Sequence, residues 1–545
     1  MLFYQTVRRG ATALSLAIAV LLALPILWVA GSILQPAGDA WRHIASTVLP
    51  LYVSNTALLL ALVACGVISI GVVSAWLVAS YRFPGARLLE WALVLPLAMP
   101  AYVMAYAYTD WLQFAGPVQG TLRALTGWQA REYWFPEIRS LGGAAVVLSL
   151  ALYPYVYLIA RTAFRDLPRS ALEAGRLAGH PAWRNFFRVA LPLARPAIAA
   201  GTALALMETL ADFGTVSYFA LEVFTTGIFK AWLSMGDHVA AAQLSSGLLV
   251  FVLLVLALER ATRGRAAYHG AAGAKPVPPQ PLRGARAALA CAACAMPVLL
   301  GFVLPAAILL QLALGDPEAR WGARLFGLVG NSFTIAAVSA IAAVALAVTM
   351  AYAARLSKSR VAVAANRFAA LGYAMPGAVV AIGVLVPLGR LDNWLAGLVE
   401  RATGESTGLL LTGTIAALVY ACLVRFLAVA LQTTEAGLAR ITPSMEDAAR
   451  SLGASPAAAL ARVHAPLLAP SLATAALLVF VDVMKELPAT FALRPFNFDT
   501  LAVEAYHLAM DERLAEAAVP SLVIVAVGLV PLLALSRRYF QATRS

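Results

Sequence analysis

Charge is scarce in this sequence. Asp, Glu, Lys and Arg make up 12% of the 545 residues, against roughly 25% in soluble domains, while 61% are hydrophobic and the mean hydropathy is +0.81. So little charge cannot cover a water-soluble globule, and the composition is that of an integral membrane protein. Cysteine is scarce too. Of four, Cys291 and Cys294 form a CxxC inside an Ala-rich run, and Cys65 and Cys422 stand alone in apolar stretches. Disulfide, zinc and redox sites need further ligands or a polar, accessible setting, so all four read as small helix-packing residues. Glycine never precedes a lysine at Lys230, Lys275, Lys358 or Lys485. A Walker A phosphate loop is therefore missing, and the chain is not itself a P-loop ATPase. Energy for transport must come from a partner or an ion gradient. No catalytic residue and no cofactor is assigned.

The net charge of +13 raises nucleic acid as a partner. The arginines are scattered through short loops between apolar runs, however, which is what orientation in a lipid bilayer requires. No nucleic-acid partner is expected. A helix needs about 20 mainly apolar residues to span a bilayer, and twelve runs qualify. They lie near 11–34, 55–80, 88–112, 141–164, 192–214 and 243–260, then near 288–314, 331–356, 363–389, 407–431, 466–489 and 518–537. The first follows Arg8-Arg9, is too long for a signal-peptide core and reads as a retained helix. Residues 261–287, rich in Gly, Pro, Ala and Arg, read as a cytoplasmic linker between a first repeat, 1–260, and a second, 288–545.

The halves repeat each other. Glu173-Ala174-Gly175 and Gly179, then Val189-Ala190-Leu191-Pro192, recur as Asp447-Ala448-Ala449 and Gly453, then Val463-His464-Ala465-Pro466, at an offset of 274. Asn55-Thr56 recurs as Asn331-Ser332 and Met99-Pro100 as Met375-Pro376, at 276. Six-span repeats in the same order share one orientation, which implies a pseudo-twofold along the bilayer normal with a path between the halves. The expected fold class is an all-α membrane protein with about twelve transmembrane helices in two parallel six-helix repeats.

Each copy of the duplicated stretch reads as a helix, a glycine break, a short second helix and a proline that opens a membrane helix. Thr442-Pro443 and Ser455-Pro456 fit N-cap and first helical positions, and Gly179 and Gly453 suit the left-handed turn that ends the first helix. The product is a helical elbow at the membrane surface, a docking piece with no reaction centre. If the N-terminus is cytoplasmic, most of the 40 Lys and Arg fall in inner segments, and both elbows and both termini lie in the cytoplasm.

This spacing resembles the EAA loop of ABC importer permeases, with Gly175 in place of the second Ala, Asp447 in place of Glu and Ala465 in place of the usual Leu. In that family the loop seats in a cleft of a separate ATPase. The resemblance therefore implies ATPase coupling through Glu173, Ala174, Gly179, Pro192, Asp447, Ala448, Gly453 and Pro466, and two fused permease halves.

Beyond each elbow a membrane run ends in two acids spaced i, i+4: Glu208 and Asp212, and Asp482 and Glu486. That spacing puts both carboxylates of a pair on one helix face. Carboxylates inside a bilayer are costly unless they meet a cation, a hydrogen-bond partner or water. They suit a hard cation along a substrate path; equally, they pair with Lys485 or an arginine, or cap a helix. No histidine or tyrosine accompanies them at ligand spacing, and whether they hold metal stays open.

The outer stretches Lys485-Glu486-Leu487-Pro488-Ala489-Thr490 and Arg494-Pro495-Phe496-Asn497-Phe498-Asp499, with Asp212-Phe213-Gly214-Thr215 and Phe224-Thr225-Thr226-Gly227 in the first half, resemble the fused permeases of ferric iron ABC importers. The resemblance runs over nearly the whole chain. It implies the bacterial cytoplasmic membrane, a periplasmic iron-binding protein, a dimer of ABC ATPase subunits and Fe(III) as cargo. Thiamine or aminoethylphosphonate permeases share the architecture. A gradient-driven secondary transporter, which gives no reason for duplicated elbows, and a membrane scaffold, which predicts no solute movement, are the competing classes.

Overall fold

A computed structural model of the chain describes residues 2–36, 38–129, 132–263, 279–315, 322–405 and 408–542. Among them the fold is helical apart from two-residue strands, Tyr81–Arg82 and Gln280–Pro281, paired in parallel. Most of the expected linker falls on 264–278, outside the described residues. Eleven helices are long and apolar enough to cross a bilayer, and a bent pair, Ala86–Ala98 with Ala101–Thr126, makes the twelfth span. Two six-helix repeats are therefore present.

The third span is not the straight run expected at 88–112; it bends by 92°. Proline disfavours helical geometry in the residue before it. Met99 accordingly sits at φ −99°, ψ 107°, and the next helix starts after Pro100. The second repeat breaks at the matching place, with Met375 at φ −84°, ψ 127° before Pro376. The run expected at 363–389 is thus split into Arg360–Ala369, a 3-10 turn and the span Gly377–Thr403.

The chain divides into two compact units. One holds Met1–Arg42, Ile228–Leu249 and Gly322–Glu504, the other His43–Gly227, Val250–Trp321 and Ala505–Ser545. Each unit is built on three mutually packed helices of one repeat: Ala323–Ser357, Ile415–Leu438 and Ala465–Met484 in the first, Leu49–Ser80, Leu141–Arg165 and Leu191–Ala211 in the second. Each also holds the leading helix of the other repeat. Leu2–Ser32 packs on Ala323–Ser357 and Gly377–Thr403, and Gly284–Val298 packs on Leu49–Ser80.

The repeat extends to single hydrogen bonds. Asn55 Nδ2 donates to the Glu222 carbonyl at 2.9 Å, and Asn331 Nδ2 to the Asp499 carbonyl at 2.9 Å. Beside them Thr56 Oγ1 accepts from the Phe224 amide and Ser332 Oγ from the Leu501 amide. In each repeat a side chain at the start of a span thus ties down the segment that follows the acidic turn.

Proline inside a span leaves a carbonyl without its helical donor, and hydrocarbon offers no water to replace it. Pro25 lies inside Leu2–Ser32, so the Leu21 carbonyl one turn earlier lacks a partner in its own helix. The Tyr420 hydroxyl donates to it, within the same unit. Removing that hydroxyl should cost about 1 kcal/mol. We predict that Tyr420→Phe destabilises the protein in SDS titration but that the same change is nearly neutral on a Pro25→Ala background, where the helix satisfies Leu21 itself. An equal cost in both backgrounds would contradict this assignment.

Candidate functional site: two elbows and two acidic turns

Glu173 and Ala174 lie in the helix Arg169–Leu177, Asp447 and Ala448 in Pro443–Ser451. Both helices end at a glycine in the left-handed region, Gly179 at φ 75° and Gly453 at φ 80°. Each turn is closed by one long-range amide bond, His180 N to the Gly175 carbonyl and Ala454 N to the Ala449 carbonyl. This is the six-to-one bond of a Schellman stop, for which glycine at C′ is favoured. Ser455 caps the next short helix, as expected, by accepting from the Ala458 amide.

Pro192 and Pro466 do not open new helices. The short helix after each glycine runs without interruption into the membrane, giving spans Ala182–Ala211 and Pro456–Met484. Just before each proline the helix makes one π turn, Phe186–Ala190 and Leu460–His464. Proline brings no amide and crowds the carbonyl four residues back. The wider turn takes up that conflict without a break.

The elbows differ in how they are fastened. In the second, the Arg355 guanidinium pairs with Glu446 at 2.5 Å and donates to the carbonyls of Leu438 and Ile441. Buried His464 lies 3.2 Å from the same carboxylate, and the Tyr352 hydroxyl donates to the Pro456 carbonyl. In the first repeat the matching positions are Ala79, Leu172, Ala190 and Trp76, and at these places aromatic packing replaces the charged clasp, with the Trp76 ring 5.2 Å from Phe164 and 5.0 Å from Phe186. The sequence spacing missed this clasp. Its only signal is that four hydrogen-bonding residues in one repeat stand where the other has Ala79, Leu172, Ala190 and Trp76.

One departure from the EAA pattern now has a cause. A Cβ on Gly175 would lie 2.1 Å from Asn185 Oδ1, while Asn185 Nδ2 donates to the Leu172 carbonyl at 3.0 Å. The second elbow has Ala449 and Ala459 at the corresponding places. Glycine and asparagine go together in one repeat, alanine and alanine in the other.

The acids at the far ends of these spans do not share a helix face in pairs. The helices stop at Ala211 and Met484, before the second acid of each pair. Asp212 and Glu486 instead turn to the short helix that follows, a cap that competes with continued helix. Asp212 accepts from the Thr215 amide at 2.9 Å, the Thr215 hydroxyl at 3.0 Å and the Val216 amide at 3.3 Å. Glu486 accepts from the Ala489 amide at 2.9 Å. Glu486 also pairs with Arg425 at 2.7 Å, and Asp482 with Lys485 at 2.9 Å. Arg425 lies inside the span Ile415–Leu438 and is buried. Gly377 makes room for this pair, since a Cβ there would lie 2.8 Å from the Glu486 carboxylate and 2.9 Å from the guanidinium. Glu208 stays on its helix, half-buried. Among the described residues no three His, Cys, Asp or Glu side chains gather as a metal site.

With this geometry in hand, comparison with known proteins is decisive on family. The family model described as binding-protein-dependent transport system inner membrane component matches residues 67–263 and again 343–542. The chain belongs to this family. The permease is 27% identical over 493 residues, 90% of each chain, to the Fe(3+)-transport system permease protein FbpB 2 of Haemophilus influenzae. It is 23% identical over 439 residues to the ferric transport system permease protein FbpB of Actinobacillus pleuropneumoniae, covering 76% of this chain and 60% of the other. The sulfate transport system permease protein CysT of Escherichia coli is 30% identical over 192 residues, 34% of this chain and 66% of its own.

The elbow geometry yields a compensation test. Gly175→Ala alone should destabilise the permease by about 1–3 kcal/mol through overpacking, and adding Asn185→Ala should restore it by recreating the pairing of the second elbow. Thermal unfolding of the two variants checks this, and a double variant no better than the single one would refute the steric explanation.

Proposed function

We propose that this permease imports Fe(III), delivered by a periplasmic binding protein and driven by a dimer of separate ABC ATPase subunits. The observation that carries this reading is the similarity along 90% of both chains to the Fe(3+)-transport permease of Haemophilus influenzae. Both elbows and both termini are then cytoplasmic, as the distribution of basic residues supports.

Docking of a partner at the elbows is supported by what they expose. Leu177 is 90% and Leu452 88% exposed, each within two residues of its elbow glycine, and Trp183 and Phe187 add apolar surface to the first elbow. Exposed apolar surface of this kind marks interaction sites. Glu173, Ala174 and Gly179, with Asp447, Ala448 and Gly453, are the coupling residues of this reading. A partner must supply ATP hydrolysis, because the chain has no phosphate-binding loop.

The continuity of each elbow with its span provides the mechanism. A helix of 30 residues, Ala182–Ala211, is roughly 45 Å long. When the ATPases close, a push on the elbow moves this helix along its length and reaches the acidic turn at Asp212. Pro192 and Pro466 lie within the moving helices, just past their π turns. The second elbow moves Asp482 and Glu486 in the same way. The path then switches from outward-facing to inward-facing, and no bond of the cargo is made or broken.

Proteoliposomes holding the permease, its ATPase and its binding protein check this reading. Fe(III) should enter only with ATP inside reach of the ATPase, and thiamine, aminoethylphosphonate and sulfate should not enter. Uptake driven by a proton gradient without the ATPase would instead establish a secondary transporter, and ATP-driven uptake of another of these solutes would replace Fe(III) as the cargo.

A further inference from the structure

The two elbows share one shape but are attached differently. Each turns at a left-handed glycine, closes with the same amide bond and continues through a π turn into its span. The first elbow keeps this backbone with Ala79 and Leu172 where the second has Arg355 and Glu446. The ion pair is therefore not what shapes an elbow, and its effect has to be sought in what it connects.

Arg355 stands in the last turn of the 35-residue helix Ala323–Ser357. Its guanidinium donates to the Leu438 carbonyl at 2.5 Å, the Ile441 carbonyl at 2.7 Å and Glu446 of the elbow helix at 2.5 Å. Carbonyls left over at the end of Ile415–Leu438 explain the first of these bonds. Glu446 lies outside that cap, and its carboxylate is shared with His464, 3.2 Å away in the span that the elbow feeds. One turn before Arg355, the Tyr352 hydroxyl donates to the Pro456 carbonyl at 2.8 Å. The second elbow is thus fastened to Ala323–Ser357 both before and after its Gly453 turn. With the Arg355 and Glu446 side chains 19% and 23% exposed, the pair is largely sheltered from screening by salt.

At the matching place the first elbow has a cavity of about 110 Å³, with Trp76, Ala79, Leu172 and Asn185 in its wall. Contact with the neighbouring span Leu49–Ser80 is made there by the Trp76 ring against Phe186. Apolar packing of this kind is non-directional and permits sliding. Charge-assisted hydrogen bonds fixed in angle do not.

We propose that Arg355 is a positioning residue for ATPase coupling: it locks the second elbow to the helix Ala323–Ser357, so that the two move as one piece, while the first elbow slides along Leu49–Ser80 and drives its own span alone. This rests on the reading of the elbows as docking pieces for the ATPase. One ATPase dimer then drives the two repeats unequally.

Distances between spin labels test the lock, in the full permease with its ATPase subunits in nanodiscs. Ser170 and Ser444 are matched, exposed positions in the elbow helices, and Cys65 and Ile341 are matched, exposed positions in the neighbouring spans. In a chain otherwise free of cysteine, labels on Cys65 and Ser170→Cys should change separation when ATP and vanadate trap the closed ATPase, whereas labels on Ile341→Cys and Ser444→Cys should not. Arg355→Met, which keeps the stem of the side chain, should make the second pair shift as the first does. Glu446→Gln should act alike, and the double variant should add nothing to either. Arg355→Lys, with a cation still in reach of Glu446, should recover part of the lock. In proteoliposomes Arg355→Met should also lower the Fe(III) imported per ATP hydrolysed at least about fivefold, a ratio that loss of folded protein does not alter. Tyr352→Phe, which removes a single hydroxyl, should give a smaller shift of the second pair and reads the same lock if Arg355→Met fails to fold. Shifts at both pairs in the unmodified protein, shifts at neither while ATP-driven uptake is intact, or a second pair unmoved by these variants would overturn the proposal. Failure of the ATPase to bind the unmodified permease removes the docking reading itself.

Discussion

Every backbone carbonyl inside the bilayer must find a donor, and this chain puts proline where that requirement is hardest to meet. Its spans are interrupted or relieved at Pro25, Pro100, Pro192, Pro376 and Pro466, and each has its own remedy. Tyr420 supplies the bond lost at Pro25. The spans break outright at Met99-Pro100 and Met375-Pro376. The elbows absorb Pro192 and Pro466 with a π turn. Because the Met-Pro breaks and the π turns recur at matched positions, the two repeats share one backbone design, and each elbow helix runs on into its span.

On that shared backbone the side chains diverge where charge is placed. Arg355, Glu446 and His464 clasp the second elbow, and Ala79, Leu172 and Ala190 pack the first. Glu90 pairs with Arg165 at 2.8 Å in the first repeat, while at the matching places Asn366 donates to Glu435 at 2.9 Å in the second. Arg425 answers Glu486, whereas the recorded partners of the Asp212 carboxylate are Thr215 and Val216. Fusion of two halves in one chain permits this, since each half evolves its own polar contacts while keeping the same helices. The divergence concentrates at the elbows and the acidic turns.

The architecture was legible because membrane spans advertise themselves by length and composition, and because a duplicated chain supplies its own comparison. The offsets of 274 and 276 mark the elbows, the matched Met-Pro pairs and the Asn pairs in the sequence alone. What stayed hidden depends on three-dimensional partners. A run of apolar residues says nothing of a bend at Pro100 or of continuity past Pro192, since proline is compatible with both. The i, i+4 acids implied one helix face, but Asp212 and Glu486 found better donors in the amides of the next helix. The packing of Tyr106 on Tyr218 and the contact of Ser217 with Tyr506 join three separated segments, so no local spacing displays them.

The account as a whole requires both elbows on the cytoplasmic side, within reach of one ATPase dimer. Single cysteines at Leu177 and Leu452, both exposed, in a chain whose four native cysteines are replaced by alanine, give the direct measurement. A membrane-impermeant maleimide should label both positions in inverted vesicles and neither in intact spheroplasts. Labelling of one from each side would contradict the parallel repeats and the shared motor together.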